Sequence, residues 1–198
     1  MKKSLLIALG VIVGIIVLVL LAYGGVYNQL VAADEGVKNA WAQVENVYQR
    51  RLDLIPNLVE TVKGYAAHER QTLEGVIEAR SKISQMNVSS NIVNDPEQLA
   101  KFQAFQGQLS SALSRLLVVV EQYPDLKANQ NFLALQTQLE GTENRIAVER
   151  KRFNDAALKF NTLRRTFPSI LIASMMGFKE KAYFQAEAGA AKAPAVKF

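Results

Sequence analysis

The sequence predicts an all-α protein in which an N-terminal transmembrane helix is followed by an antiparallel four-helix bundle. Three observations support this fold class. An uncharged apolar run lies near the N-terminus, apolar side chains beyond it recur at steps of three and four residues, and proline and glycine are sparse. The first pattern is typical of a membrane span, and the second is typical of helices that bury one face.

The N-terminal apolar run, residues 5–22, contains no charged side chain. At about 1.5 Å per residue a helix of this length nearly crosses the hydrocarbon core of a bilayer, and Tyr23 extends it to the interface. We therefore expect residues 1–25 to form a single-pass transmembrane anchor and residues 26–187 to form the bundle domain.

The charges around the run predict its orientation. Lys2 and Lys3 precede it, whereas Lys38 is the first positive charge beyond it. The positive-inside rule then places the N-terminus in the cytoplasm and the domain outside it, at an inner or cell membrane. The alternative is a cleaved signal peptide, for which residues 22–24 supply a small-x-small pattern. The run is longer than a usual signal-peptide core, which favours a retained anchor.

The first bundle helix is predicted from an apolar face that begins at Val26, includes Trp41 as a core residue and continues to Leu52. We expect it to end there, because Asp53 is a good N-cap and Pro56 is tolerated in the first turn of a helix but not in its interior. The alternative is one long kinked helix, since the apolar phase continues through Ile55.

The second helix is predicted to run from Pro56 to just before Asn87, after which residues 87–95 form a loop. Its expected buried face is a set of nine apolar residues: Leu58, Val59, Val62, Tyr65, Ala66, Leu73, Val76, Ile77 and Ile83.

The third helix begins with Asp95 as N-cap and Pro96 at the first helical position, and it stops at Tyr123-Pro124. The fourth helix is expected from Lys127 to Arg165. The predicted core faces of these two helices are Leu99, Phe102, Phe105, Leu109, Leu113, Leu116, Leu117 and Val120, and Phe132, Leu135, Leu139, Ile146, Phe153, Ala157 and Phe160.

The uncharged stretch at 167–178 is too short to span a bilayer. In an antiparallel bundle it follows the helix that returns to the membrane, so we expect it at the membrane-proximal end. Two roles are open for it: contact with lipid, or closure of the core by Ile170, Leu171 and Met175. Residues 188–198 are predicted to be a flexible tail.

Catalytic and metal-binding groups are scarce. The chain has no cysteine and one histidine, His68, whose neighbour Glu69 does not complete an H-E-x-x-H motif because residue 72 is threonine. One further set of charged residues is expected to pair on a helix surface near the predicted turn: Glu45, Arg50, Arg51 and Asp53. We therefore expect no enzyme activity, no cofactor, and no catalytic, cofactor-binding or metal site.

Charge is distributed unevenly along the chain. Residues 26–144 hold 10 Lys and Arg against 14 Asp and Glu, whereas residues 145–198 hold 11 against 4. A basic C-terminal quarter favours a membrane surface or an acidic partner, and a solvated helix face explains it equally well. Basic and aromatic residues do not alternate as in nucleic-acid interfaces, and no nucleic-acid partner is expected.

Several long stretches make the chain resemble the LemA family of bacterial membrane proteins. They are Tyr27-Asn28, AWAQVENVYQRR at 40–51, DLIPNLVETVKGYAAHE at 53–69, EAR at 78–80, RIAVERKRFNDAALKFN at 145–161, FPSILIA at 167–173 and GFKEKAYFQAE at 177–187. The resemblance implies a single-pass anchor and a four-helix domain, and it implies no catalytic residue. Some members carry a lipoprotein-type cysteine where this chain has Gly24-Gly25, so the apolar run must anchor the chain by itself.

These observations favour a membrane-anchored, non-enzymatic scaffold or adaptor of the bacterial cell envelope. Its expected partners are the bilayer, through the N-terminal helix, and an envelope protein. The alternative is a bundle that holds an apolar or lipid-like ligand between its helices at the membrane surface.

Overall fold

The computed structural model describes residues 2–86 and 90–185. Within these ranges the regular structure is helical throughout, which confirms the all-α class. The elements are α1 Lys2–Lys63, α2 Arg70–Ser84, a 3-10 helix Ser90–Asn94, α3 Pro96–Val120, α4 Pro124–Lys127, α5 Gln130–Arg165 and α6 Ser169–Met175.

The predicted break at Asp53–Pro56 is wrong, because α1 continues through Pro56 to its end. A proline inside a helix has no N–H to donate to the carbonyl four residues earlier, which here belongs to Leu52. That carbonyl instead accepts a hydrogen bond of 3.0 Å from Nε of Arg80 on α2. The buried Ile55 keeps the apolar face in phase across the proline. The single-helix alternative is therefore the one that the chain adopts.

The predicted second helix is also divided differently. α1 ends just before Gly64, a residue of low helix propensity, and α2 starts only at Arg70. In the turn between them Ala66 is buried in the core. Tyr65 in this turn and Ile77 on α2 are exposed, although the sequence places both on the buried face.

The caps of the later helices follow local rules. The side chain of Asp95 accepts hydrogen bonds from the backbone N–H groups of Glu97 and Gln98, at 3.0 and 3.1 Å, which confirms the predicted N-cap of α3. The predicted fourth helix starts later than Lys127, because α5 begins at Gln130 and the separate one-turn helix α4 ends at Lys127. The new start arises because Asn129 caps α5 by accepting a hydrogen bond of 3.0 Å from the N–H of Phe132.

The end of α6 redirects the chain. Gly177 has a φ of +72°, a left-handed conformation that glycine adopts without steric cost. The N–H of Phe178 then reaches back to the carbonyl of Ala173 at 3.0 Å, as in a Schellman motif. Residues 178–185, here called the C-terminal segment, leave α6 without helical structure and return across the helices.

Aromatic rings fill the centre of the core. Trp41 is buried, as predicted, and its ring centroid lies 5.7 Å from that of Phe102 and 5.6 Å from that of Phe153. Phe184 of the C-terminal segment stacks on Trp41 at 6.1 Å, and Tyr48 meets Phe102 edge to face at 5.0 Å. Contacts of this kind contribute about 0.5–1.5 kcal/mol each beyond the area that they bury.

Successive residues along α1 contact residues that follow each other in the reverse order along α5. Trp41 meets Phe153, and ten residues later in α1 Arg51 meets Glu143, ten residues earlier in α5. These two helices are therefore antiparallel neighbours. The complete four-helix bundle and the domain boundaries at 25/26 and 187/188 stay predictions. The first three loop residues, 87–89, and the tail at 188–198 lie outside the described residues.

Candidate functional site

The one histidine does not lie in a catalytic arrangement. His68 is exposed in the turn between α1 and α2. Its neighbour Glu69 accepts a hydrogen bond of 3.0 Å from the hydroxyl of Tyr123, and this bond raises the pKa of Tyr123 above its usual value. Within residues 2–86 and 90–185, no group of three or more His, Cys, Asp and Glu side chains is arranged to hold a metal ion.

The cluster of charged residues that was predicted on the helix surface near Pro56 does not form as expected, because Arg51 is buried. Its members are Glu45, Arg50, Arg51 and Asp53. Arg51 is buried, and one of its terminal nitrogens lies 2.7 Å from the Ser110 hydroxyl and 2.8 Å from a Glu143 carboxylate oxygen. Asp53 instead accepts from Gln49 at 2.7 Å. Arg51 therefore joins α1, α3 and α5, which is a structural role.

The C-terminal segment is held through its backbone by side-chain amides of α5. Asn161 accepts from the N–H of Lys181 and donates to its carbonyl, both at 2.9 Å. Asn154 binds Phe184 in the same two ways, at 2.9 and 3.0 Å. Because Asn154 and Asn161 are seven residues apart, they lie on one face of the helix, two turns from each other. Each amide supplies the donor and the acceptor that a neighbouring strand would supply.

A third amide and two further contacts extend this attachment. Gln103 of α3 accepts from the N–H of Gln185 at 3.2 Å and donates to its carbonyl at 2.8 Å. Arg150 donates to the same carbonyl at 2.9 Å. The N–H of Ala182 donates to the carbonyl of Val93 at 2.8 Å. The C-terminal segment thus joins α3, α5 and the 3-10 helix.

A buried ion pair joins the segment to α1. The Lys181 ammonium lies 2.5 Å from the Asp34 carboxylate, donates to Asn94 at 2.8 Å, and lies 4.9 Å from the centroid of the Phe160 ring. Burial raises the pKa of Asp34, but its hydrogen bonds with Lys181 and with Lys38, 2.9 Å away, outweigh this effect and hold the pKa below its usual value. A buried charge of this kind is stable only when it is paired.

The C-terminal segment borders a groove of about 1620 Å³ between α2 and α3. Small side chains line much of it, including Gly75 and Ala79 on α2 and Ala104, Gly107 and Ser111 on α3. Small side chains allow another backbone to approach two helices closely.

The short helix α6 forms the end of the domain nearest the apolar run. Ile170, Leu171 and Met175 do not close the end of the core, because all three are exposed. The buried apolar residues of α6 are instead Ile172 and Ala173, which pack against Leu30 of α1.

Comparison with known proteins identifies the family to which the chain belongs. The family model described as "LemA family" matches residues 40–198, most of the chain. The chain belongs to the LemA family. The match begins inside α1, at Ala40, so it covers most of the domain and does not include the apolar run.

Relatives support the same assignment. The chain is 28% identical to "Protein LemA" of Metamycoplasma hominis, over 83% of this chain and 71% of that protein. It is 29% identical to "Magnetosome protein MamQ 2" of Paramagnetospirillum magneticum and 28% identical to "Magnetosome protein MamQ" of Magnetospirillum gryphiswaldense. In both cases the match covers 80% of this chain and 64% of the magnetosome protein, slightly less than two thirds of its length.

The three amides that bind the C-terminal segment of this LemA-family chain are absent from the sequence predictions. Asn154 directly follows Phe153, and Asn161 directly follows Phe160. Two polar residues repeating with core phenylalanines at a seven-residue interval are a signal of a shared, partly buried face. The backbone groups that the two asparagines bind lie 20 to 30 residues away along the chain. The sequence pattern therefore predicts that the asparagines are buried, but it does not identify their hydrogen-bond partners.

Proposed function

We propose that this LemA-family chain is a membrane-anchored, non-enzymatic scaffold or adaptor of the bacterial cell envelope. In this proposal residues 1–25 cross the inner or cell membrane once and residues 26–187 form an antiparallel four-helix bundle outside the cytoplasm. One observation carries the proposal: α1 joins the apolar run to the core of the domain as one uninterrupted helix.

The two parts of α1 have different surroundings. Of the described residues, α1 is the one helix long and apolar enough to cross a membrane, and its most apolar stretch has no buried residue. From Leu30 onward the same helix buries side chains at helical spacing, with Val37 and Trp41 next on that face. A helix that is apolar on all sides suits lipid, and one with a single apolar stripe suits a packed domain. Without a flexible linker between them, the domain stays at a set height above the bilayer.

A partner surface is available in the groove between α2 and α3. Small side chains make up much of its lining, and the C-terminal segment that borders it is held by three amides and a buried ion pair. A surface on such a fixed support binds a partner with little ordering cost. These features support the adaptor proposal, and the ring contacts around Trp41 fill the centre of the core.

Photocrosslinking in intact cells tests the adaptor role. A photoreactive amino acid is placed at Ser111, which is exposed in the groove, and in a control chain at Lys159, which is exposed on α5. We expect a discrete adduct with another envelope protein from position 111 and none from position 159. Adducts only with a second copy of the chain, or no protein adduct from the groove, would overturn the adaptor role.

Protease accessibility tests the orientation. Protease added to intact spheroplasts should degrade the domain while the extreme N-terminus remains protected. If the domain is degraded only after lysis, the orientation is reversed.

A further inference from the structure

A cluster of exposed apolar side chains lies on and beside α6. We call it the α6 patch and define it as Phe167, Ile170, Leu171, Met175 and Met176. Each of these side chains is between 47% and 82% exposed. No charged residue occurs between 167 and 178. Isolated apolar side chains are common on protein surfaces, but a contiguous group of five large ones usually marks an interaction site.

The position of α6 along α1 indicates what covers this patch. Its buried residues pack against Leu30, and Tyr23, Val26 and Tyr27 belong to the same cluster. This part of α1 directly follows the apolar run, which ends at Ala22. At about 1.5 Å per residue, Leu30 is about 12 Å beyond Ala22 along the helix.

We propose that the α6 patch is inserted in the headgroup and upper acyl region of the same bilayer leaflet from which α1 emerges. The proposal rests on the proposed function, since it requires that residues 1–25 cross the membrane. The polar region of each leaflet is about 5–7 Å thick, and interfacial helices bury about 5–10 Å of their apolar side. The contact with Leu30 lies about 12 Å along α1 from Ala22, and Tyr23 and Val26 of the same cluster lie nearer to the span, so a tilt of α1 towards α6 brings the patch to the lipid headgroups.

The flanking charges suit this placement. Arg165 and Lys179 are exposed on either side of the stretch. Of the other nearby cations, Arg164 donates to the carbonyl of Phe178 at 2.7 Å and Lys181 is buried against α1. The exposed cations on either side of the stretch are thus Arg165 and Lys179, which are attracted to an anionic lipid surface.

Site-specific fluorescence in a bilayer tests the proposal with the full chain. Because the chain has no cysteine, single substitutions give unique labelling sites. Met175→Cys reports on the patch and is 77% exposed; Val118→Cys, near the end of α3, is a matched control at 68%. Leu18→Cys, also 68% exposed, reports on the span. Each variant is labelled with an environment-sensitive dye and placed in nanodiscs that hold one chain and contain lipids with shallow or deep nitroxide quenchers.

The outcomes separate this proposal from the proposed function. We expect a blue shift and strong quenching by shallow quenchers at position 175, quenching by deep quenchers at position 18, and neither effect at position 118. Quenching at 18 without quenching at 175 overturns the α6 proposal and leaves the anchor intact. Absence of quenching at 18 overturns the anchor itself. Shielding of position 175 only when several chains share one bilayer identifies a second copy as the occupant and also overturns the proposal.

A second set of variants tests whether the positive charges of Arg165 and Lys179 contribute to lipid contact. In Met175→Cys chains, quenching should increase when anionic lipid is added, and the increase should be lost after Arg165→Gln and Lys179→Gln. An increase that persists without these two cations would overturn their assigned role.

Discussion

Removing the Arg80 guanidinium should destabilise the domain by an amount that depends on Pro56. In the native chain Pro56 has no N–H, so the Leu52 carbonyl accepts from Nε of Arg80 at 3.0 Å. Arg80→Ala removes that donor and leaves the carbonyl without this bond in a partly buried position. In a Pro56→Ala chain the new N–H of residue 56 donates to the same carbonyl, so the loss of Arg80 matters less.

The expected size follows from the kind of bond and its exposure. A hydrogen bond with a charged donor contributes about 1.5–3 kcal/mol when buried. Arg80 is half-buried, so Arg80→Ala should lower the free energy of unfolding by about 1–2 kcal/mol in the native background. In the Pro56→Ala background it should cost about 1 kcal/mol less, and this difference is the coupling energy of the double-mutant cycle.

Urea unfolding of the full chain in mild detergent, followed by helical circular dichroism, measures all four members of the cycle. Arg115→Ala is the matched control, because Arg115 is an exposed arginine in the C-terminal part of α3. It should change stability by less than about 0.5 kcal/mol. An equal cost of Arg80→Ala in both backgrounds would refute the explanation of how α1 passes through its proline.

Three further substitutions follow from buried contacts. Asn161→Ala leaves the N–H and carbonyl of Lys181 without their partner and should lower the free energy of unfolding in urea by about 2–4 kcal/mol. Asn144→Ala, at an exposed position on the same helix, should be nearly neutral. Equal effects of the two substitutions would mean that the Asn161 amide does not hold the segment. Phe153→Ala should cost about 3–5 kcal/mol, because the ring is fully buried, and a change below about half a kcal/mol would contradict its place in the core. Asp34→Asn tests the buried pair through pH: the folded-state pKa of Asp34 is below the usual value of 3.8, so its stabilisation is present above that value and is lost as the pH falls through the folded pKa. The stability difference between the native and Asp34→Asn chains should therefore be full at pH 7 and shrink below about pH 4, and a difference independent of pH would exclude this ion pair as its source.

Features that depend on neighbours a few residues apart could be predicted from the amino-acid sequence. Helical spacing predicted the buried faces of α3 and α5, including Phe153, because a helix brings every third and fourth side chain to one side. The N-cap at Asp95 was predictable because the groups that it binds lie two and three residues away. The apolar run was recognisable from its length and its lack of charge, which are the features expected of a helix that crosses a bilayer.

Features that depend on a partner distant in the chain became visible only in the folded structure. Pro56 remains inside α1 because Arg80 comes from a different helix, and no local rule anticipates that donor. Lys181 belongs to a basic stretch in the sequence, yet it is buried because Asp34, almost 150 residues earlier, lies beside it. The exposure of the α6 patch follows from which side of a seven-residue helix meets α1. A helix of two turns with apolar residues all round has no polar side in its sequence, so only its packing partner determines which residues stay outside.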